Sequence, residues 1–245
     1  MGVETPFEVE TPAPIESHEA PSASRSRKRS RRTRDSGSVS VRLFDLWSEI
    51  YDIGWVQQLA YRPVHDAVLD ALRQRPRSAI LDLGCGTGLF TRRIREELRD
   101  TRVVGCDFSS GMLQRASRAH TEVEWVRGNA LELPFTEECF DTVISTEAFH
   151  WFAHPREAIA QIHRALAPGG QLLLAFINPP SPLVSEVARI GSRLLGDPLL
   201  WPTRHRLRDW LEQADFQIEF QNRIRRLPGG RVLPPVLTAA HRGAA

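Results

Sequence analysis

Large apolar side chains are almost absent from positions 1–38 and begin to recur only at Val41. From there Phe44, Leu46, Trp47 and Ile50, then Val56, Leu59, Ala60, Val64, Val68, Leu69 and Leu72, keep helical spacing. Past the polar stretch 73–77 the pattern changes to short apolar runs separated by amphipathic segments. The runs 79–83, 103–106, 123–126 and 140–146 read as strands, and 91–98 and 112–119 as helices. Residues 157–166 predict an amphipathic helix with Ile159, Ile162 and Leu166 on one face. Pro168, Gly169 and Gly170 stop it before a strand at 171–177. Strands alternating with helices of this length imply an α/β fold, a doubly wound, mostly parallel sheet with helices on both faces. Further on, 183–195 and 207–214 read as helices, and 216–224 as an alternating strand with Phe216, Ile218 and Phe220 on one face. From Leu227 onward, Pro228, Gly229, Gly230, Pro234 and Pro235 break every pattern.

These boundaries divide the 245 residues into a tail (1–38), a folded domain (39–226) and an irregular end (227–245). The first tail is Pro-, Ser-, Glu- and Arg-rich and cannot bury enough apolar surface to offset its ordering entropy, so it is read as disordered. Within it Arg25, Arg27, Lys28, Arg29, Arg31, Arg32 and Arg34 form a basic run; these seven cations against six acids leave the tail at +1. A run of this kind can serve as an address or an anionic contact, but it reads first as a solvated tail. Over the whole chain 32 Lys+Arg face 30 Asp+Glu, a net charge of +2 that argues against a nucleic-acid partner. The longest apolar stretch, 172–177, is far short of the roughly 20 residues a membrane span needs. Glu4, Glu8 and Glu10 stand where a secretory signal would be apolar. Cys85, Cys106 and Cys139 have neither disulfide nor metal-ligand spacing. A soluble cytoplasmic protein without a metal site is expected.

The sharpest local signal is Leu81-Asp82-Leu83-Gly84-Cys85-Gly86-Thr87-Gly88, a strand entering a glycine-rich turn that opens a helix. Such a turn lets backbone approach a ligand, and the free N–H groups of the next helix favour an anionic group. A phosphate loop would continue Gly-Lys-Ser/Thr, but Leu89 and Phe90 follow Gly88. A dinucleotide fingerprint would put its third small residue at position 89, where Leu89 stands. Asp107, at the end of the next strand, lies about 20 residues on, where ribose hydroxyls sit in doubly wound folds. Two hydroxyl hydrogen bonds to an ionised acid are worth ~1.5–3 kcal/mol each. The competing role for Asp107, capping the helix at Ser110, is equally open to Ser109 or Ser110.

At these residues the sequence resembles the class I S-adenosylmethionine-dependent methyltransferases, over roughly 43–226. Residues 80–88 look like that family's first motif, and 104–113 like its second strand with ribose acid and apolar pair. Residues 128–135 resemble the adenine loop, 140–145 the fourth strand, and 166–170 the turn into the fifth. The resemblance is strongest to the small-molecule branch, which includes quinone-ring methyltransferases. It implies a Rossmann-like methyltransferase fold and S-adenosylmethionine as donor, leaving as S-adenosylhomocysteine. By the same resemblance Gly84 and Gly86 would underlie the methionyl group, with Asp82 near its cations, and Asp107 would hold the ribose. Phe108 and Met112 would flank adenine, Asn129 and Ala130 its edge, and Ser145 would end the fourth strand beside the donor. Asn129 stands where the family usually has Asp; its amide oxygen can still accept from the adenine amino group.

The acceptor side is less determined, because methyl transfer is a direct displacement that needs alignment rather than a fixed triad. His150 titrates near neutrality and is a candidate base for a phenol or enol; the competing reading is a helix-start histidine packed between aromatics. Tyr51 resembles the family's N-terminal lid segment, although ordinary amphipathic packing also explains it. Asn178-Pro179-Pro180 is similar to the box of amino-methylating nucleic-acid methyltransferases. It follows the fifth strand rather than the fourth and lacks the final aromatic, so it reads as a strand-end turn. Residues 181–210 are expected to cover the acceptor pocket, with Trp201, Phe149, Trp151 and Phe152 suiting an aromatic or lipid-like small molecule. The family sheet ends in an antiparallel hairpin of sixth and seventh strands, and nothing in 227–245 reads as a seventh. A missing strand would leave an exposed edge, through which a homodimer could form. It would also favour an alternative: a degenerate member that binds the donor or a protein partner without catalysis.

Overall fold

The computed structural model of the chain describes residues 61–179, 181–194, 200–224 and 235–244. Tyr51, the basic tail and the helical pattern at 41–60 lie outside them. Five strands, β1 (Ala79–Leu83), β2 (Arg102–Asp107), β3 (Glu124–Arg127), β4 (Phe140–Thr146) and β5 (Leu166–Ile177), run parallel. The antiparallel pair β6 (Phe216–Arg223) and β7 (Pro235–Arg242) completes a seven-stranded sheet in the order β3-β2-β1-β4-β5-β7-β6. Helix α1 (Arg62–Leu72) precedes β1, and between the strands lie α2 (Leu89–Glu97), α3 (Ser110–Ala119), α4 (Pro155–Ala165), α5 (Pro182–Leu194) and α6 (Arg204–Glu212).

Side chains alternate across the sheet with the strand period of two, and the two faces carry separate cores. On one face Leu81, Leu83, Val104 and Val143 pack with Ile159 and Ile162 of α4 and Leu207 and Leu211 of α6. On the other, Ile80, Val103, Ile144 and Leu173 pack with Val64, Val68 and Leu72 of α1 and Phe90 and Ile94 of α2. Helix starts use local chemistry: the Ser109 hydroxyl accepts from Met112 N at 3.2 Å, and the Thr203 hydroxyl from Arg206 N at 3.3 Å. Such a cap contributes ~1 kcal/mol. Ser109, and not Asp107, is therefore the residue that caps α3.

The C-terminal end corrects the sequence reading. The seventh strand is present: residues 235–242, read as part of an irregular tail, form β7, and the domain extends past 226. β7 lies inside the sheet, pairing Gln171 with His241 through Ile177 with Pro235 on one side and Phe216 with Arg242 through Arg223 with Val236 on the other. Pro235 is its first residue, a place where a missing N–H is tolerated. Thr238, Ala239 and Ala240 are buried. Small side chains suit a strand covered on both faces, and following a run of prolines they give little strand signal in the sequence. The sheet edges are β3 and β6, and the exposed edge expected from a missing strand has no basis.

β6 differs in a second way. Ile218 pairs with Ala240 and Phe220 with Ala239, so Glu219 is an extra residue in the ladder. A bulge of one residue reverses the alternation. Phe216 and Ile218 therefore join the first core, while Phe220 and Ile224 join the second, and the three do not share a face as the pattern suggested.

Candidate donor and acceptor site

Strand order reverses between β1 and β4, and in open α/β sheets the crevice at the carboxyl ends of such strands is where ligands bind. The glycine turn that leaves β1 is clasped by β2: Gly84 N and Cys85 N both donate to the Cys106 carbonyl, at 2.8 and 3.2 Å. Gly84 has φ +78°, and a β-carbon there would overlap that of Ala148, which follows β4. Gly86, at φ +56°, would meet nothing within 4 Å. The turn thus presses one glycine against protein and opens the other toward the crevice.

Asp107 links this turn to α3. Its Oδ2 accepts from Gly86 N and its Oδ1 from Ser109 N, both at 2.8 Å. The Phe108 N–H is a third backbone donor to this carboxylate, so of its about four lone-pair sites one stays free for a further donor. Burial raises its pKa, opposed by these backbone hydrogen bonds. Asp82 is more enclosed: Oδ2 accepts from the Thr91 hydroxyl at 2.6 Å, and Oδ1 is buried without a partner among the described residues. Burial pushes its carboxyl up to about 7. Thr91, fully buried in the first turn of α2, was missed by the sequence reading; its sequence signal is a hydroxyl one turn into the helix after the glycines.

The remaining donor-side residues are arranged unevenly. Phe108 presents a ring 51% exposed, whereas Met112 is buried at the start of α3. The Arg127 guanidinium lies 6.0 Å over the Phe108 ring, a cation–π contact the sequence reading did not foresee. Asn129 turns its Oδ1 back to Leu131 N at 3.0 Å, so its amide oxygen is engaged in its own loop with one lone pair remaining. Ala130 beside it is buried. Ser145, near the end of β4, is fully buried with its Oγ unpartnered among the described residues.

After β4 the backbone bends sharply. Glu147 adopts φ +52°, uncommon for a residue with a side chain, and its N–H donates to Ala175 O at 2.7 Å. The bend seats Ala148 against Gly84 and begins the single turn Phe149–Trp151 that carries His150. His150 is 8% exposed, with its ring centroid 5.3 Å from Trp151, 6.4 Å from Phe176 and 6.1 Å from Trp201. Burial lowers its pKa to about 4, so it is neutral at physiological pH. Its Nδ1 has no partner among the described residues. The histidine is therefore packed between aromatics, and one of its polar atoms is also left unused.

Fold and site together define a doubly wound α/β domain with buried carboxylates and a glycine turn gathered at its switch point. The unpartnered Asp82 oxygen, the Asp107 carboxylate and the open side of Gly86 are the groups it offers a ligand. Residues 81–174 match the family model of the methyltransferase domain. The demethylmenaquinone methyltransferase of Paenarthrobacter aurescens is 28% identical over 210 residues, 77% of this chain and 79% of that one. Among solved structures, the methyltransferase complexed with the Trm112 activator of Haloferax volcanii is similar with 26% identity and a TM-score of 0.65, covering 82% of this chain and 97% of its own. The 1,6-didemethyltoxoflavin-N1-methyltransferase of Burkholderia thailandensis, solved with S-adenosylhomocysteine bound, shares the fold with a TM-score of 0.64 and 21% identity, over 83% and 87% of the two chains. The chain carries a methyltransferase domain over residues 81–174 and is similar to the class I S-adenosylmethionine-dependent methyltransferases, the quinone methyltransferases among them. Its methyl donor is S-adenosylmethionine, and its acceptor is a small molecule. Among the described residues no helix is long and apolar enough to cross a membrane.

Proposed function

We propose that the chain methylates an oxygen, carbon or nitrogen nucleophile of an aromatic small molecule bound between the turn after β4 and the segment 200–203, with His150 as proton acceptor. The observation that carries this reading is His150 itself: buried, neutral, with an unused Nδ1, two residues from the alanine that touches the donor turn. The name of the Paenarthrobacter relative, which refers to a quinone precursor, supports an aromatic acceptor.

When bound, the donor supplies an electrophilic methyl carbon on a sulfonium and departs as S-adenosylhomocysteine. Asp107 would accept from the ribose through its remaining lone pair, and the ionised Asp82 would face the donor's cationic end. Gly84 and Gly86 keep the methionyl portion against backbone. The aromatic walls around His150 exclude water, and alignment does most of the work in a displacement of this kind. A neutral imidazole of low basicity first accepts a hydrogen bond from the acceptor. It takes the proton only as the nucleophile's electron pair is committed to the new bond, and the imidazolium loses that proton to solvent once the products leave and water re-enters. Tyr51 remains a candidate for covering the donor from the N-terminal side.

The test is S-adenosylhomocysteine formation on a panel of quinols, phenols, fatty acids and amines. Turnover confined to the quinols or phenols, and lowered by His150→Ala without loss of donor binding, is the expected result. Turnover of fatty acids or aliphatic amines alone overturns the aromatic assignment. The non-catalytic alternative drew on a missing seventh strand, and the presence of β7 withdraws that support.

A further inference from the structure

Beside His150, two more buried polar atoms lack partners among the described residues: Asn178 Oδ1 and Trp201 Nε1. They come from different parts of the chain. Asn178 follows β5 and is 4% exposed, and Trp201 precedes α6. Three tethers bring them to one place. Leu200 N donates to His150 O at 2.9 Å, Asn178 Nδ2 donates to Pro202 O at 2.8 Å, and the Ser185 hydroxyl donates to Trp201 O. The Trp201 indole then meets the His150 ring edge-on, at 69°.

The second tether settles which way the Asn178 amide points. The Pro202 carbonyl can only accept, so the NH₂ faces it and Oδ1 faces away. Trp201 Nε1 can only donate. Leaving a buried donor or acceptor unpaired costs ~1–3 kcal/mol, and native proteins rarely tolerate it without a use. One unpaired donor and one unpaired acceptor beside a candidate base form a complementary pair. A carboxylate ligand has no donor for Asn178, and the pair offers a cation no negative charge.

We infer that Asn178 and Trp201 orient the methyl acceptor, Asn178 Oδ1 accepting from a ring hydroxyl and Trp201 Nε1 donating to a carbonyl oxygen of the same molecule. The acceptor class is thus an aromatic ring that bears both a hydroxyl and a carbonyl group, a hydroxylated aromatic ketone. This inference rests on the proposed transfer to an aromatic molecule and narrows it to rings that carry both groups. Asn178 and Trp201 are positioning residues toward the acceptor, and the Asn-Pro-Pro turn gains a role through its first residue alone.

The test is calorimetric binding in the presence of saturating S-adenosylhomocysteine, with three matched probes. Para-hydroxyacetophenone carries both groups, para-methoxyacetophenone keeps the carbonyl but no hydroxyl, and para-ethylphenol keeps only the hydroxyl. Trp201→Phe is expected to weaken the two ketones by about tenfold and to spare para-ethylphenol. Asn178→Leu is expected to weaken the two phenols by a similar factor and to spare para-methoxyacetophenone. If Asn178→Leu no longer folds, shown by lost S-adenosylhomocysteine binding, the Trp201→Phe comparison of ketones against para-ethylphenol decides alone. Equal losses across all three probes, unchanged binding in Trp201→Phe, or no binding of para-hydroxyacetophenone to the parent protein overturns the inference. Failure of the parent protein to bind S-adenosylhomocysteine overturns the donor site and this inference together.

Discussion

The two halves of the crevice are built on different plans. The proposed donor half draws most of its residues from one stretch, Asp82 to Met112, with Asn129, Ala130 and Ser145 added from further along, and backbone in unusual conformations shapes its turn. The acceptor half is assembled from the bend after β4, the residue after β5 and the segment before α6, joined by hydrogen bonds such as Leu200 N to His150 O. A single ligand that every family member shares can be met by a fixed local motif. An acceptor that differs among members is met by side chains on separate connections, which can change without disturbing the sheet.

The largest expected effect breaks the donor half by geometry alone. Gly84→Val places a branched side chain in a left-handed conformation and into Ala148, so a stability loss of about 2–4 kcal/mol is expected in denaturant unfolding. Donor binding should be lost with it. The acceptor half should respond in the opposite sense: His150→Ala should lower turnover about a hundredfold while donor affinity, read by calorimetry, stays within twofold.

A smaller effect distinguishes the halves by pH. Asp82 titrates at about 7 before the donor binds, and its ionised form is the one that attracts a cation. Below pH 7, binding must remove a proton, so donor affinity should fall by up to about tenfold per pH unit as pH drops from 7 toward 5. Above 7 the dependence should flatten, and Asp82→Asn should abolish the slope. His150, neutral down to about pH 4, should contribute nothing to it. The smallest effect concerns Phe108: Phe108→Leu removes ring stacking worth ~0.5–1.5 kcal/mol and should weaken the donor about three- to tenfold, with turnover at saturation unchanged.

The same contrast explains what could be read from the chain. The glycine turn and Asp107 were legible because their chemistry is local: residues 82–112 carry the strand, the turn, the acid and the next helix in order. The partner of Asp82 was not, since a buried hydroxyl such as Thr91 looks like any other threonine on a helix. His150 was legible as a residue but not as an environment, because Trp201, one of its walls, lies far along the chain. Asn178 looked like a turn residue, and its unpaired oxygen appears only once Pro202, distant in sequence, is seen to hold its NH₂. β7 was hidden because it begins at Pro235, after residues that break every pattern, and carries small residues such as Ala239 and Ala240 between its two neighbours. The Glu219 bulge was hidden because a strict alternation assumes a ladder without extra residues.

The central claim is that the turn after β1 and the acid after β2 form a site for S-adenosylmethionine. Calorimetric titration of the donor into the parent protein and into Asp107→Ala tests it most directly. The account predicts one site per chain in the parent and a loss of about tenfold or more in Asp107→Ala, since a charge-assisted hydrogen bond of ~1.5–3 kcal/mol is removed. Equal affinity in the two proteins would contradict it.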